Sequence, residues 1–272
     1  MTSTELDLPV ASRAAPVRWR LPGTGWQRLV SPLALLALWQ LTGSLGLLPE
    51  RLLAAPATVA ATALDLVTSG TLPEAVAVSL GRVAAGFTVG AVAGVGFALV
   101  AGLSRLGEYA VDPPMQMLRA LPLFGLIPLF ILWFGIGETP KITLLALGVA
   151  FPLYLNTFAG VRGVDAKLGE LGAVLRLGRG ELVRHIVLPG ALPQVLVGLR
   201  QSLGVGWLAL IVAEQINADS GLGYMINTAR EFLRTDVIVV GLLVYCALGL
   251  VTDSLVRVVE RKALTWRRGL LG

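Results

Sequence analysis

Apolar residues in this chain fall in long, unbroken runs rather than in alternating or heptad patterns. Six such runs lie near positions 29–48, 80–103, 115–136, 142–160, 194–216 and 236–256. A helix rises about 1.5 Å per residue, so about 20 residues cross the ~30 Å hydrocarbon core of a bilayer. The pattern predicts an all-α membrane protein of about six transmembrane helices, with the membrane domain over 29–256. A polar leader (1–28) and a basic tail (257–272) flank it. The first apolar run starts behind Arg13, Arg18, Arg20 and Arg28, so the leader is read as cytoplasmic and not as a secretory signal.

The runs differ in detail. The second places Gly86, Gly90 and Gly94 four residues apart on one helical face, which permits close approach of another helix. The third is interrupted by Pro122 and Pro128 and preceded by Pro113-Pro114, so a short helix leading into a kinked span is expected. Such a span is suited to lining a pathway, and plain kinking accounts for the prolines equally well. Residues 56–69 read as a short amphipathic helix at the external surface. Residues 217–235 read as a re-entrant or surface helix that could contact an external partner.

Composition agrees with lipid exposure. Hydrophobic residues make up 55% of the 272 and charged residues 14%, against about 25% charged in soluble domains. Mean hydropathy is +0.77. One cysteine (Cys246) and one histidine (His185) leave no intrachain disulfide and no metal-ligand set. No catalytic constellation is evident, and the chain carries no Gly-rich loop ending in Gly-Lys-Ser/Thr to hold ATP. The net charge of +5 does not point to nucleic acid, because the basic residues lie in short loops between apolar runs. Of 22 lysines and arginines, four (Arg51, Lys141, Arg230, Arg234) fall in one set of loops. Three more (Arg82, Arg119, Arg200) sit at span ends. The remaining fifteen fall in the other set, together with the termini, and the positive-inside rule makes that side cytoplasmic.

The longest internal loop, 161–193, has a pattern of its own. Leu168, Leu171, Gly172 and Leu175 fall at i, i+3, i+4 and i+7, the spacing of one helical face. Gly178 and Gly180 allow a turn, and a second apolar stretch (Leu182, Val183, Ile186, Val187) follows and is expected to stop at Pro189. Two short helices with apolar faces in a cytoplasmic loop need a surface to dock on.

This loop resembles the EAA loop of binding-protein-dependent ABC importer permeases, in which a Glu precedes a Leu-Pro pair at fixed spacing. Glu170 stands nineteen residues before Pro189, with Leu188-Pro189 as the pair. Leu171 and Gly172 replace the two alanines, and Arg176 replaces the turn glycine, so the turn is expected to shift to Gly178 and Gly180. SLGRVAAGF (79–87), LIPLFILWFGIGETPKI (126–142), LPGALP (188–193) and the stretch from Ile211 to Asp236 resemble the nitrate, sulfonate and taurine permease group, most of all its aliphatic-sulfonate branch.

The resemblance implies a type I importer permease fold and a coupling loop carried by Glu170, Leu171, Gly172, Leu175, Arg176, Gly178, Gly180, Leu188 and Pro189. It also implies two copies of an ATPase subunit that uses the ATP, an extracytoplasmic substrate-binding protein, and a second copy of the chain in the inner membrane. For an anionic substrate, Arg82, Asn156 and Gln201 are candidates to line the pathway. The competing reading is that such residues pair between helices or reach the headgroups. Glu214 is read as a structural hydrogen-bond partner near an external gate. Rival readings are a permease for taurine, nitrate or a vitamin precursor, an ion-coupled secondary transporter, which would carry more intramembrane carboxylates, and a membrane scaffold.

Overall fold

A computed structural model describes residues 27–265. The leader, apart from its last two residues, and the end of the basic tail lie outside the described residues.

The described residues form helices α1 (Gln27–Ser44), α2 (Pro56–Thr68), α3 (Thr71–Leu103), α4 (Arg105–Ala120), α5 (Ile127–Phe134), α6 (Glu138–Arg162), α7 (Ala166–Val174), α8 (Arg179–Leu182), α9 (Leu188–Asn217), α10 (Leu222–Glu231) and α11 (Thr235–Ala263). A 3₁₀ turn over Leu123–Leu126 precedes α5, and a π turn over Val183–Val187 joins α8 to α9. Among the described residues, four helices are long and apolar enough to span a membrane: α3, α6, the continuous helix from α8 to Ile216, and α11. The pair α4–α5 is a fifth if its 91° bend is counted within one span.

Two of the six apolar runs come out differently from a simple span. The first yields a helix that ends at Ser44, where Gly46 turns the chain at φ 68°. Its apolar part, Val30–Ser44, is shorter than a full span. The third is broken rather than kinked. Pro113 and Pro114 are accommodated inside α4, and Leu121 is extended because the following Pro122 disfavours helical backbone before it. Pro128 then starts α5, where its missing N–H costs nothing.

Packing follows the sequence of small residues. A Cβ added at Gly90 would collide with the Ala146 carbonyl oxygen, and one at Gly94 would come within 2.6 Å of the Ala150 carbonyl. α3 and α6 therefore touch backbone to backbone. Helix α6 is central, with half of its spanning window buried against 22% for α11. Leu145, Val149 and Leu153 of α6 meet Trp207 and Leu210 of α9, Leu222 and Ile226 of α10, and Val240 and Tyr245 of α11 in the main core. The outward faces of α3 and α11 (Val89, Val92, Leu243, Leu250, Leu255) remain exposed and apolar, as a lipid-facing surface requires.

Candidate functional site

Two features occupy opposite ends of the helix bundle. Helices α3 and α6 begin, and α9 ends, at the end that holds a buried ionic cluster. The other end carries the α7–α8 loop.

Arg82, one turn into the apolar part of α3, has only 4% of its side chain exposed. Its Nε and Nη2 donate to Glu138 at 2.7 Å each, in bidentate fashion, and its Nη1 donates to Glu214 at 2.7 Å. The Ser220 carbonyl (2.7 Å) and hydroxyl (3.2 Å) accept the remaining two N–H groups. All five donors of a guanidinium are thereby occupied. Glu214 is fully buried and accepts from Ser79, Tyr245 and the Gly223 amide as well, at 2.8–2.9 Å. Lys141, also buried, donates to Glu138 at 2.9 Å. A carboxylate stripped of water is costly unless its lone pairs are filled, and here they are.

This arrangement corrects the reading of Arg82 as part of an anion-lining surface. With every N–H committed to α6, α9 and the α9–α10 connection, none is left for a substrate in this conformation. Asn156 and Gln201 do come together: the Asn156 amide donates to the Gln201 side-chain carbonyl at 2.9 Å and to the Pro152 carbonyl at 2.8 Å. Gln201 is exposed on a stripe of α9 that also includes Gln194, Val197, Gly204 and Leu208. Sequence reasoning did not single out Glu138, Ser79, Ser220 or Tyr245. The available signal was that Arg82, Glu138, Lys141 and Glu214 all fall at span ends on one side of the membrane, where opposite charges have reason to meet.

At the other end, α7 starts on an Asp165 cap, whose carboxylate accepts from the Lys167 amide at 3.0 Å. Gly172 is buried, and a Cβ there would lie 2.5 Å from Leu182. The glycine lets α7 pack directly on α8. Leu168, Leu171 and Leu175 stay largely exposed, as does Val174 at 79%. Glu170 is exposed and makes no hydrogen bond or ion pair among the described residues.

Two expectations for this loop are corrected. The turn does not shift to Gly178 and Gly180. Arg176 itself is left-handed at φ 53°, while Gly178 sits at an ordinary −66°. The Leu177 amide bonds the Gly172 carbonyl (2.9 Å) and the Arg176 amide bonds that of Ala173 (3.0 Å), closing α7 in the manner usually given to glycine. A Cβ in that conformation costs about 1–2 kcal/mol. Nor does the second stretch stop at Pro189. The Leu188 amide reaches back five residues to the Val183 carbonyl, a single π turn within the helix. Pro189 then lies in the first turn of α9 with the chain still helical, giving 38 continuous residues from Arg179 to Ile216.

A multi-pass helical membrane protein with a buried ionic cluster at one end and a projecting helical loop at the other is the class this geometry defines. Residues 86–265 match the family described as "Binding-protein-dependent transport system inner membrane component". The chain belongs to that family and is a multi-pass inner-membrane transport component. It is 44% identical over 263 residues to a putative aliphatic sulfonates transport permease protein of Bacillus subtilis (strain 168), covering 96% of this chain and 94% of that one. A protein of the same description from Escherichia coli (strain K12) is 45% identical, with 93% and 95% covered. The taurine transport system permease protein of that organism is 32% identical, with 94% of each covered. Among solved structures, an amino acid ABC transporter matches with a TM-score of 0.62 at 18% identity, over 73% of this chain and 97% of that chain. An inward-facing methionine ABC transporter matches at 0.57 and 18%, over 71% and 97%. The fold is that of an importer permease of this type.

Proposed function

We propose that this chain is the permease subunit of an ABC importer that carries aliphatic sulfonates into the cell, driven by ATP hydrolysed on a partner subunit. The observation that carries the substrate class is the 44–45% identity, over more than nine-tenths of the chain, to two proteins described as aliphatic sulfonates transport permeases. Taurine, at 32% identity, is the second reading.

The geometry supports the following mechanism. The loop of Glu170, Leu171, Gly172, Leu175, Arg176, Gly178, Gly180, Leu188 and Pro189 docks on the ATPase subunit through its exposed leucines. Because α8 continues through the π turn into α9, a displacement at the loop moves α9 as one rod. Near its far end that rod carries Glu214, inside the ionic cluster. ATP binding thus biases two arrangements of the spans by contacts that differ between them. A second copy of the chain meets the exposed stripe of α9, and Asn156 and Gln201 line the pathway between copies. The Gln201 amide N–H groups, oriented by the Asn156 donation to the Gln201 side-chain carbonyl, offer hydrogen bonds to sulfonate oxygens without trapping the anion. Two ATPase copies and an external binding protein complete the importer.

Reconstitution with the ATPase and binding protein tests this reading. ATP hydrolysis is expected to rise when the binding protein carries an alkanesulfonate, and the rise to vanish in Leu171→Asp and shrink in Glu170→Ala. Stimulation by taurine or nitrate alone replaces the substrate. An ATPase that never associates with the chain would end the importer reading.

A further inference from the structure

The left-handed residue at the tip of the α7–α8 loop is an arginine, although glycines stand two and four positions further on. Neither glycine has a positive φ, so the Cβ-free residues are not where the backbone asks for one. Strain of this kind persists where its surroundings over-determine it, and it clusters at functional sites. Among the described residues nothing holds this side chain: Arg176 is exposed and has no hydrogen bond or ion pair there.

Its surroundings describe what it faces. Leu171, Val174 and Leu175 form an exposed apolar patch on α7. Two of the loop's acids are already used as caps, Asp165 on the Lys167 amide and Glu181 on the Gly178 amide at 2.8 Å. Arg176, Arg179 and Arg184 have no acidic partner among the described residues. The tip of the loop therefore presents an apolar centre beside Arg176, Arg179 and Arg184, with Glu170 exposed further back on α7 as the one loop acid not used as a cap. Length favours a protein partner over a lipid surface. The helix from Arg179 to Ile216 has 38 residues, about 57 Å at 1.5 Å each, against about 40–45 Å for a bilayer with its headgroups. Straight and along the bilayer normal, with Ile216 at the outer boundary, a helix of that length carries the tip past the inner headgroups.

We infer that Arg176 is a partner-selecting contact, a guanidinium held out in a strained turn to meet a carboxylate on the ATPase subunit that receives the loop. The inference rests on the importer reading above. An Arg–carboxylate pair on the rim of an apolar contact adds selectivity and speeds encounter, and it weakens with salt.

The experiment is a titration of the detergent-purified chain with its ATPase at 50 mM and 500 mM salt. Arg176→Gly is expected to leave the chain's own melting temperature unchanged or higher. It should weaken ATPase binding about tenfold at low salt, with the gap closing at high salt. Arg176→Lys should retain most of the affinity, and Arg176→Glu should lose more than the glycine variant. Parental affinity for Arg176→Gly at low salt overturns the inference. So does a loss that salt leaves unchanged, since it would place the cause in the backbone rather than the charge. Leu171→Asp separates the two levels. If it binds ATPase normally, the docking reading itself fails; if it does not bind while Arg176→Gly does, only the role of Arg176 is lost.

Discussion

Arg82 shows what a residue does when its charge is surrounded. It draws on Glu138, 56 positions later, and Glu214, 132 positions later, and no local pattern in the chain announces either pairing. A lone arginine at a span end reads as a pathway residue or a headgroup contact; only the packing of α3 against α6 and α9 decides between them. The energetic consequence is direct. Removing one member of a buried ion pair leaves the other uncompensated and costs about 3–5 kcal/mol. Arg82→Met is therefore expected to lower the thermal midpoint in detergent sharply, with little folded protein recovered. Glu214→Gln keeps a hydrogen-bonding group of the same shape and should cost less than Glu214→Ala. A combined Arg82→Met, Glu214→Gln variant should cost less than the sum of its parts. Additive losses would mean that the two side chains do not share one network.

The helices themselves were legible to different depths. α3, α6 and α11 follow from uninterrupted apolar runs, and the 86–90–94 glycine spacing already pointed to a close helix neighbour. Its identity, α6, was not in the spacing. Prolines were harder to read, because each has more than one accommodation. Pro122 breaks the chain, Pro128 starts a helix, and Pro189 is carried past by a π turn that no composition signals. The left-handed turn at Arg176 was hidden for a similar reason, since nearby glycines offered an easier place for it. The glycine contacts make a contrast within a single helix. A methyl group at Gly90 collides with the Ala146 carbonyl, whereas one at Gly96 meets open space. Gly90→Ala should destabilise the protein by about 1–3 kcal/mol through overpacking. Gly96→Ala should be neutral or stabilising by up to about 1 kcal/mol, since it restricts the unfolded chain and favours helix. Thermal unfolding of both variants in one detergent checks the pair, and equal effects would refute the close α3–α6 contact.

Across the whole molecule, buried charge is concentrated at one end of the bundle, and the orientation proposed for the bundle can be measured. At the end where α3 and α6 begin, Arg82 and Lys141 are buried and neutralised by Glu138 and Glu214. At the opposite end, arginines such as Arg176, Arg179 and Arg184 stand exposed. The positive-inside rule assigns the loop's side to the cytoplasm in the importer proposed above, which is the arrangement to be tested. The chain's single cysteine makes this measurable. In a Cys246→Ser background, Ser69→Cys probes the short α2–α3 turn and Gly180→Cys probes the loop. Both positions are exposed, and a side chain at Gly180 meets nothing within 4 Å. A membrane-impermeant maleimide should label Ser69→Cys in right-side-out vesicles and Gly180→Cys only in inverted ones. The reverse result would put the loop outside the cell, away from any source of ATP. The rod from α8 through α9 would then have nothing to push it, and the ionic cluster at its far end would hold a static fold rather than one state of a working cycle.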